Sequence, residues 1–284
     1  MQLKKIKING LWQQFYFWGN PRKPLFFLLH GWMDTGASFE FLCQSLQKKF
    51  YCIACDLRGY GKSEHSKNPL GYFFFEYVAD VHRMLEYFSP RQQVNLLGHS
   101  LGGFLASIYA GTFPERVKNL INVEGFAFQR RHPRTPPQRV REWIEKLDAN
   151  RFRVYSTLEA LAGRLVEANP NFPLERARFV AKYLAKKVPG GWTIAADPKH
   201  KLIDPNAMTS DVRYEFWKNV SASSLFVTAG QKGKLMKDFQ KELKREQKFF
   251  PSCTQLEAIK ESGHMIHHES PEALAGLVEN FLGA

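Results

Sequence analysis

The sequence has no apolar run near the roughly 20 residues that a membrane-spanning helix needs. Its N-terminus, residues 1–9, alternates lysine with isoleucine and leucine and lacks the apolar stretch and cleavage site of a secretory signal. Cysteine is scarce, and Cys43, Cys52, Cys55 and Cys253 have no disulfide-framework spacing. These absences predict a cytosolic protein that does not insert into a membrane.

The sequence also lacks the motifs of common cofactor sites. Its histidines have no ligand spacing with cysteines or carboxylates, and no G-K-[ST] follows the glycines around residue 100. The net charge is +13, but the lysines and arginines are spread along the chain without a nucleic-acid-binding motif. We expect no metal, no cofactor and no nucleic-acid partner. The charge leaves an anionic ligand open, and the oligomeric state is undetermined.

Short apolar runs alternate with helical patterns, which is typical of a parallel sheet with crossover helices. The runs lie at 3–8, 11–18, 24–29, 50–55, 92–97, 117–123, 224–228 and 254–259, and the helical patterns at 37–48, 74–88, 101–112, 234–247 and 271–282. From 138 to 183 the periodicity is helical only. The pattern predicts an α/β core, 1–124 and 216–284, interrupted by a helical cap at 125–215.

Cys52 and Cys55 form a C-x-x-C within one of these apolar runs. A pleated strand points residues three apart to opposite faces, so the pair is not placed to close on one metal or one disulfide. We therefore interpret both as core residues.

The segment Gly98-His99-Ser100-Leu101-Gly102 lies between an apolar run and a helical pattern. A G-x-S-x-G at a strand-to-helix turn presents its serine above the sheet, and the glycines let the neighbouring backbone approach closely. Free N–H groups at the helix start point toward the hydroxyl. Ser100 is therefore the candidate nucleophile, and the N–H of Leu101 is the candidate first donor of an oxyanion hole.

Four ordered motifs, HGWMDTGASF (30–39), DLRGYGKS (56–63), LLGHSLGG (96–103) and SGHMIHHESPE (262–272), resemble the α/β-hydrolase superfamily, and with AADPKH (195–200) they resemble its serine hydrolase-like branch. The resemblance implies a mostly parallel eight-stranded sheet with helices on both faces and a helical cap after the sixth strand. It also implies that the residue after His-Gly, Trp32, gives the second oxyanion N–H. For the His30 side chain we favour a role in bracing the turn, and for Asp56 a structural one.

His264 is the candidate base among nine histidines. It follows the last predicted strand and precedes the final helix, and in the α/β-hydrolase order the histidine comes last. His267 and His268 are rivals that we expect to flank the pocket.

The acid departs from the usual pattern of the superfamily. The resemblance implies an aspartate after the seventh strand, but Gly233 stands there. Glu124 follows the sixth strand, and a right-handed crossover returns that strand to the sheet edge that carries Ser100. We therefore predict Glu124 as the acid, with Asp238 and Asp34 as weaker alternatives. Glu124 as a residue at the pocket mouth, or as an ion-pair partner of Arg130 or Arg131, stays open.

These residues predict a serine hydrolase that cleaves a small or medium carboxylic ester through an acyl-enzyme. A thioester, lactone or C–C bond hydrolase of the same fold stays open, as does a non-catalytic ligand-binding homologue. Epoxide and C–halogen chemistry are disfavoured because they use a carboxylate nucleophile. The residues that we expect in the substrate pocket are His30, Asp34, His99, Phe126 and Phe128.

Overall fold

The computed structural model describes residues 1–126, 134–148, 151–206, 208–230, 241 and 243–283. Ten strands lie in this part of the chain: β1 (Gln2–Ile8), β2 (Leu11–Trp18), β3 (Leu25–Leu29), β4 (Tyr51–Cys55), β5 (Val94–His99), β6 (Val117–Val123), β7 (Ala185–Val188), β8 (Gly191–Ile194), β9 (Ser223–Ala229) and β10 (Thr254–Ile259). The helices are α1 (Glu40–Leu46), α2 (Phe74–Phe88), α3 (Leu101–Thr112), α4 (Pro136–Glu145), α5 (Leu158–Ala168), α6 (Leu174–Leu184), α7 (Ser210–Lys218), α8 (Ile266–Glu269) and α9 (Pro271–Leu282).

Eight of the strands form one sheet in the order β1-β2-β4-β3-β5-β6-β9-β10. The first strand pairs antiparallel with β2, and β2 pairs antiparallel with β4. The pairs from β4 to β10 are all parallel. The predicted fold class, a mostly parallel eight-stranded α/β sheet, is confirmed. The carboxyl ends of the parallel strands meet at one edge, where crossover folds of this kind place their ligands.

Both faces of the sheet are buried under apolar side chains. Along β3, Phe27 and Leu29 belong to one apolar cluster, whereas Phe26 and Leu28 belong to the cluster on the opposite face. Strands buried on two sides read as continuous apolar runs, which is why the runs stand out in the sequence.

The C-x-x-C of β4 follows the same alternation. The Cys55 side chain lies in the first apolar cluster and that of Cys52 in the second. Both are free and buried, as expected of two core residues.

The chain between β6 and β9 contains α4 to α7 and a two-stranded hairpin of β7 and β8. Helices α5 and α6 enclose a small apolar cluster of their own that includes Leu161, Phe172 and Leu184. The hairpin lies in a segment that was expected to be mostly helical, and it has Gly190 in its turn and Gly191 at the start of β8, both at positive φ (84° and 144°). The division into a core (1–124 and 216–284) and a cap (125–215) stays a prediction. The predicted helix 234–247 lies largely outside the described residues.

Among the described helices, none combines the length and the apolar composition that crossing a bilayer requires.

Candidate active site

Ser100 lies between β5 and α3 in a backbone conformation that is rare for residues with a side chain (φ 50°, ψ −115°). The surrounding backbone is packed so closely that neither flanking glycine has space for a Cβ atom. A Cβ on Gly98 would lie 2.0 Å from the carbonyl oxygen of Gly102, and one on Gly102 would lie 2.1 Å from that of Leu29. The Ser100 N–H donates to the carbonyl of Val123 at 2.8 Å. The turn is thus held by packing and by a hydrogen bond to the neighbouring strand.

His264 lies in the loop between β10 and α8, within reach of both predicted partners. Its Nε2 atom is 3.0 Å from Ser100 Oγ, and its Nδ1 atom is 3.1 Å from Glu124 Oε2. These distances are those of hydrogen bonds. Three side chains that are 164 and 140 residues apart along the chain therefore form one hydrogen-bonded series.

Glu124 follows β6 directly and has a positive φ of 57°. Its N–H donates to the carbonyl of Val227 at 2.9 Å, and its Oε1 atom accepts the N–H of Ala229 at 2.7 Å. The side chain is buried, and the adjacent Gly125 donates to Asn122 Oδ1 at 2.8 Å. These contacts fix one carboxylate oxygen on β9 and leave the other toward His264.

The alternatives for the acid lie elsewhere. The carboxylate of Asp34 pairs with His267 and not with His264. Gly233, Asp238, Arg130 and Arg131 lie outside the described residues.

Trp32 and Leu101, the predicted oxyanion donors, both line the cavity next to Ser100. Leu101 is the first residue of α3, so its N–H is one of those that a helix leaves unpaired. The Trp32 side chain is 55% exposed, and its indole N–H donates to the carbonyl of His200 at 3.0 Å.

A cavity of about 540 Å³ opens beside Ser100. Most of its wall is aromatic or aliphatic, with a few polar side chains, a composition typical of pockets for small molecules. Its lining residues are Trp32, Phe73, Phe74, Phe75, Ser100, Leu101, Phe104, Asp204, Asn206, Met208 and Arg213. The phenylalanines at the start of α2 were missed by the sequence analysis. Three consecutive phenylalanines cannot all face the core from one side of a helix. This run was the signal in the sequence that at least one of the rings lies outside the core.

Four of the five residues expected in the pocket do not line this cavity. His30, Asp34, His99 and Phe126 are between 0% and 2% exposed, so their side chains are covered in this structure, and their role in a substrate pocket stays a prediction. Phe126 stacks on Phe226 (ring centroids 4.9 Å apart), beneath the surface. The fifth, Phe128, lies outside the described residues.

His30 braces the turn, as favoured from the sequence. Its Nε2 atom accepts the N–H of Leu57 at 2.9 Å, and Nδ1 lies 2.7 Å from the carbonyl of Gly31. Burial lowers the pKa of His30, which keeps the ring neutral and suits this pair of contacts. The structural role expected of Asp56 also agrees, because its carboxylate accepts from Thr35 Oγ1, Gly36 N–H, Lys62 N–H and Tyr16 Oη.

Asp34, His99 and His267 form a buried cluster behind His264. Asp34 Oδ2 lies 3.0 Å from His267 Nε2 and accepts from Ser38 Oγ at 2.9 Å. His99 Nε2 donates to the carbonyl oxygen of His264 at 2.8 Å. Interactions with His268 and His267 lower the pKa of Asp34 against its desolvation, whereas burial lowers the pKa of His99. The sequence analysis missed this cluster because its members are far apart along the chain.

The segment AADPKH (195–200) packs against the loop after β4, where Ala196 pairs with Tyr60. The His200 ring stacks between those of Tyr60 and Tyr72, with both centroid distances at 3.8 Å. Asp197 accepts from Tyr72 Oη at 3.0 Å, and its N–H donates to Gly59. Because the His200 carbonyl holds the Trp32 indole, this segment positions one wall of the cavity.

The profile of the α/β hydrolase fold matches residues 24–271, so the chain belongs to that family. A serine hydrolase-like protein of Danio rerio is 26% identical over 275 residues, covering 93% of this chain and 83% of that protein. A probable serine hydrolase of Drosophila melanogaster is 38% identical over 109 residues, 38% of this chain and 33% of that protein. The thioesterase domain from the curacin biosynthetic pathway has the same fold (TM-score 0.85, 22% identity, 98% of this chain and 99% of that one). The protein is a hydrolase, and the resemblance to the serine hydrolase-like branch is confirmed.

Proposed function

We propose that the protein is a serine esterase that cleaves small or medium carboxylic esters through an acyl-enzyme intermediate. The observation that carries the proposal is the hydrogen-bonded series from Ser100 Oγ through the His264 ring to Glu124 Oε2, with distances of 3.0 and 3.1 Å. A hydroxyl, an imidazole and a buried carboxylate in this order are the parts of an activated nucleophile. The series opens onto an apolar cavity that can hold an acyl or alcohol group.

In the first half-reaction, Nε2 of His264 takes the proton of Ser100 as Oγ attacks the carbonyl carbon of the ester. The carboxylate of Glu124 holds the other ring N–H and so fixes the tautomer with a lone pair on Nε2. The carbonyl oxygen becomes negative and accepts hydrogen bonds from the backbone N–H groups of Leu101 and Trp32. One such donor typically lowers the barrier by about 3–4 kcal/mol.

The tetrahedral intermediate collapses as the imidazolium of His264 gives its proton to the leaving alkoxide. An ester between the acyl group and Ser100 remains. In the second half-reaction, His264 removes a proton from water, and the resulting hydroxide attacks that ester. The acid leaves, and the proton returns to Ser100.

The cavity indicates the class of acyl or alcohol group. The rings of Phe74 and Phe104 lie 4.7 Å apart and are tilted by 39°, and Phe73, Phe75 and Met208 extend the apolar wall. At about 540 Å³ the space lies in the usual range for small organic ligands. The predicted cap, 125–215, contributes Asp204, Asn206, Met208 and Arg213 to the wall, so we propose that it shapes the substrate site and excludes water.

Thioesters, lactones and C–C bonds are the second candidate substrates, and one solved structure of the same fold is a thioesterase domain. A non-catalytic ligand-binding role is the third candidate. The cytosolic location stays a prediction from the composition.

A fluorophosphonate probe tests the proposal first. We expect it to label the wild-type protein and to leave Ser100→Ala unlabelled, and absence of labelling in both would favour the ligand-binding role. Matched p-nitrophenyl esters and acyl thioesters of rising chain length then rank the substrate classes by kcat/KM. Thioester preference at every chain length would replace the esterase assignment.

A further inference from the structure

The cluster behind His264 joins three distant segments of the chain around one buried carboxylate. Asp34 follows β3, His99 ends β5, and His267 lies in α8. Each of these side chains offers one ligand atom, and the three atoms all lie within 4.8 Å of one another. His268, the next residue of α8, places Nε2 at 3.6 Å from Asp34 Oδ2. This set of imidazoles and one carboxylate lies next to the hydrogen-bonded series of Ser100, His264 and Glu124, which it meets where His99 contacts His264.

The spacing of the Asp34 and His267 donor atoms is close to the one that a zinc ion requires. His267 Nε2 and His268 Nε2 lie 3.0 and 3.6 Å from Asp34 Oδ2. Zinc binds imidazole nitrogen and carboxylate oxygen at about 2.0–2.2 Å, which puts neighbouring ligands of a tetrahedral ion roughly 3.4 Å apart. The third ligand atom, from His99, lies within 4.8 Å of those of Asp34 and His267.

One ring nitrogen of His99 has a lone pair available for an ion. Its Nε2 faces the carbonyl oxygen of His264, which can only accept, so the proton of the neutral ring is on Nε2. The lone pair is then on Nδ1, and this atom has no hydrogen-bond partner within the described part of the chain. A metal-binding histidine typically donates its other N–H to a carbonyl in this way.

The buried carboxylate of Asp34 also favours a bound cation. Asp34 is 2% exposed, and the ion pairs that the described residues make with it come from His267 and His268 alone. Nδ1 and Nε2 of His268 and Nδ1 of His267 are further buried ring nitrogens without a hydrogen-bond partner among the described residues. Several buried ring nitrogens without hydrogen-bond partners surround one carboxylate. A bound ion, or a proton shared among these side chains, would account for them.

We propose that Asp34, His99 and His267 bind one divalent transition-metal ion of the zinc class. Imidazole nitrogens and a carboxylate oxygen suit such ions. The ion ties the loop after Trp32, the strand that ends before Ser100 and the segment after His264 to one point. It touches no reacting atom.

The site is closed to solvent, so the ion enters during folding. The test therefore unfolds the wild-type protein in guanidinium chloride with EDTA and refolds it, after removal of the chelator, with or without zinc sulfate. After gel filtration we expect one zinc per chain by mass spectrometry of the metal, and a higher Tm for the zinc-refolded sample. If protein refolded with excess zinc contains no more zinc than the buffer blank, the proposal is overturned. A proton shared among these side chains then explains the unpaired ring nitrogens around Asp34.

Variants then assign the ion to this cluster. We expect Asp34→Asn and His267→Gln to lose the zinc, whereas His264→Gln keeps it because His264 contacts His99 through its backbone carbonyl and its ring but supplies no ligand atom to the cluster. Asp197→Asn, at a second histidine-paired aspartate (His65, 3.6 Å), is the matched control and keeps the zinc. If His264→Gln loses the zinc and Asp34→Asn keeps it, the ion is bound by His264 and its partners Ser100 and Glu124, and the proposal is contradicted.

If the cluster variants do not fold, anomalous diffraction from wild-type crystals at the zinc edge gives the position directly. A peak between Asp34 and His267 supports the site, and a peak elsewhere or no peak overturns it. Neither measurement depends on hydrolytic activity, so the outcome is independent of the proposed esterase function.

Discussion

The backbone N–H of Ala229 donates a hydrogen bond of 2.7 Å to Oε1 of Glu124. The end of β9 therefore holds the carboxylate that is supplied by the end of its neighbour β6. The resemblance to the superfamily implies an aspartate after β9, where this chain has glycine at position 233. The contact explains how a carboxylate from one strand earlier can be directed at the same histidine.

We expect Glu124→Gln to lower kcat by about 10³- to 10⁴-fold with little change in fold. The amide oxygen can still accept from Ala229, but a neutral group cannot stabilise the His264 imidazolium. The measurement is p-nitrophenyl ester hydrolysis, together with circular dichroism. Asp238→Asn is the control and should remain near wild type. The opposite ranking of the two variants would reassign the acid.

Ser100→Gly should be more stable than Ser100→Ala by about 1 kcal/mol, although both variants lose the nucleophile. At φ 50° a Cβ is strained, whereas glycine adopts the conformation freely. Guanidinium unfolding of the two variants measures the difference in unfolding free energy. Equal stabilities, or a more stable alanine variant, would contradict a strained turn.

Phe74→Leu should raise the kcat/KM ratio of longer to shorter esters, because it widens the cavity wall beside Phe104. Each newly buried methylene is worth about 0.8 kcal/mol, or roughly fourfold in kcat/KM. Phe88→Leu in the same helix is the control, since that ring packs on Phe15 and Phe27 away from the cavity. A similar shift in both variants would indicate a general loosening of α2.

His200 should make the protein sensitive to acid. Its burial between two tyrosine rings lowers its pKa from 6.5 to about 3. Between these values the unfolded chain binds a proton that the folded chain does not, so stability falls as the pH falls, by up to about 1.4 kcal/mol per pH unit.

Unfolding free energies measured from pH 7 to pH 4 should therefore show a shallower slope in His200→Gln. Loss of the stacked ring lowers stability at every pH, so the test is the slope and not the absolute value. An unchanged slope means that His200 takes up its proton without unfolding.

The sheet and the series of Ser100, His264 and Glu124 could be predicted from the sequence because local rules apply to both. Strands buried on two faces are apolar throughout, and G-x-S-x-G between a strand and a helix specifies a turn. The position of Glu124 follows from strand direction alone, since parallel strands end at the same edge. Its contact with Ala229 does not, because the register of two strands is set by long-range packing.

The cavity wall and the buried cluster were less accessible. Aromatic residues were expected from the segment after Glu124, but the start of α2 supplies Phe73, Phe74 and Phe75. Asp34, His99 and His267 meet only because the loop after β3, the end of β5 and helix α8 converge next to His264. No local pattern encodes such a meeting, and a rule based on spacing between nearby ligands misses it.

The turn around Ser100 leaves no space at Gly98 or Gly102, where a Cβ would fall within 2.1 Å of a backbone oxygen. Engineering of this hydrolase toward new substrates therefore has little freedom next to the nucleophile itself. Libraries should be built at the rings of α2 and α3 that face the cavity, where side chains can change size without displacing the main chain.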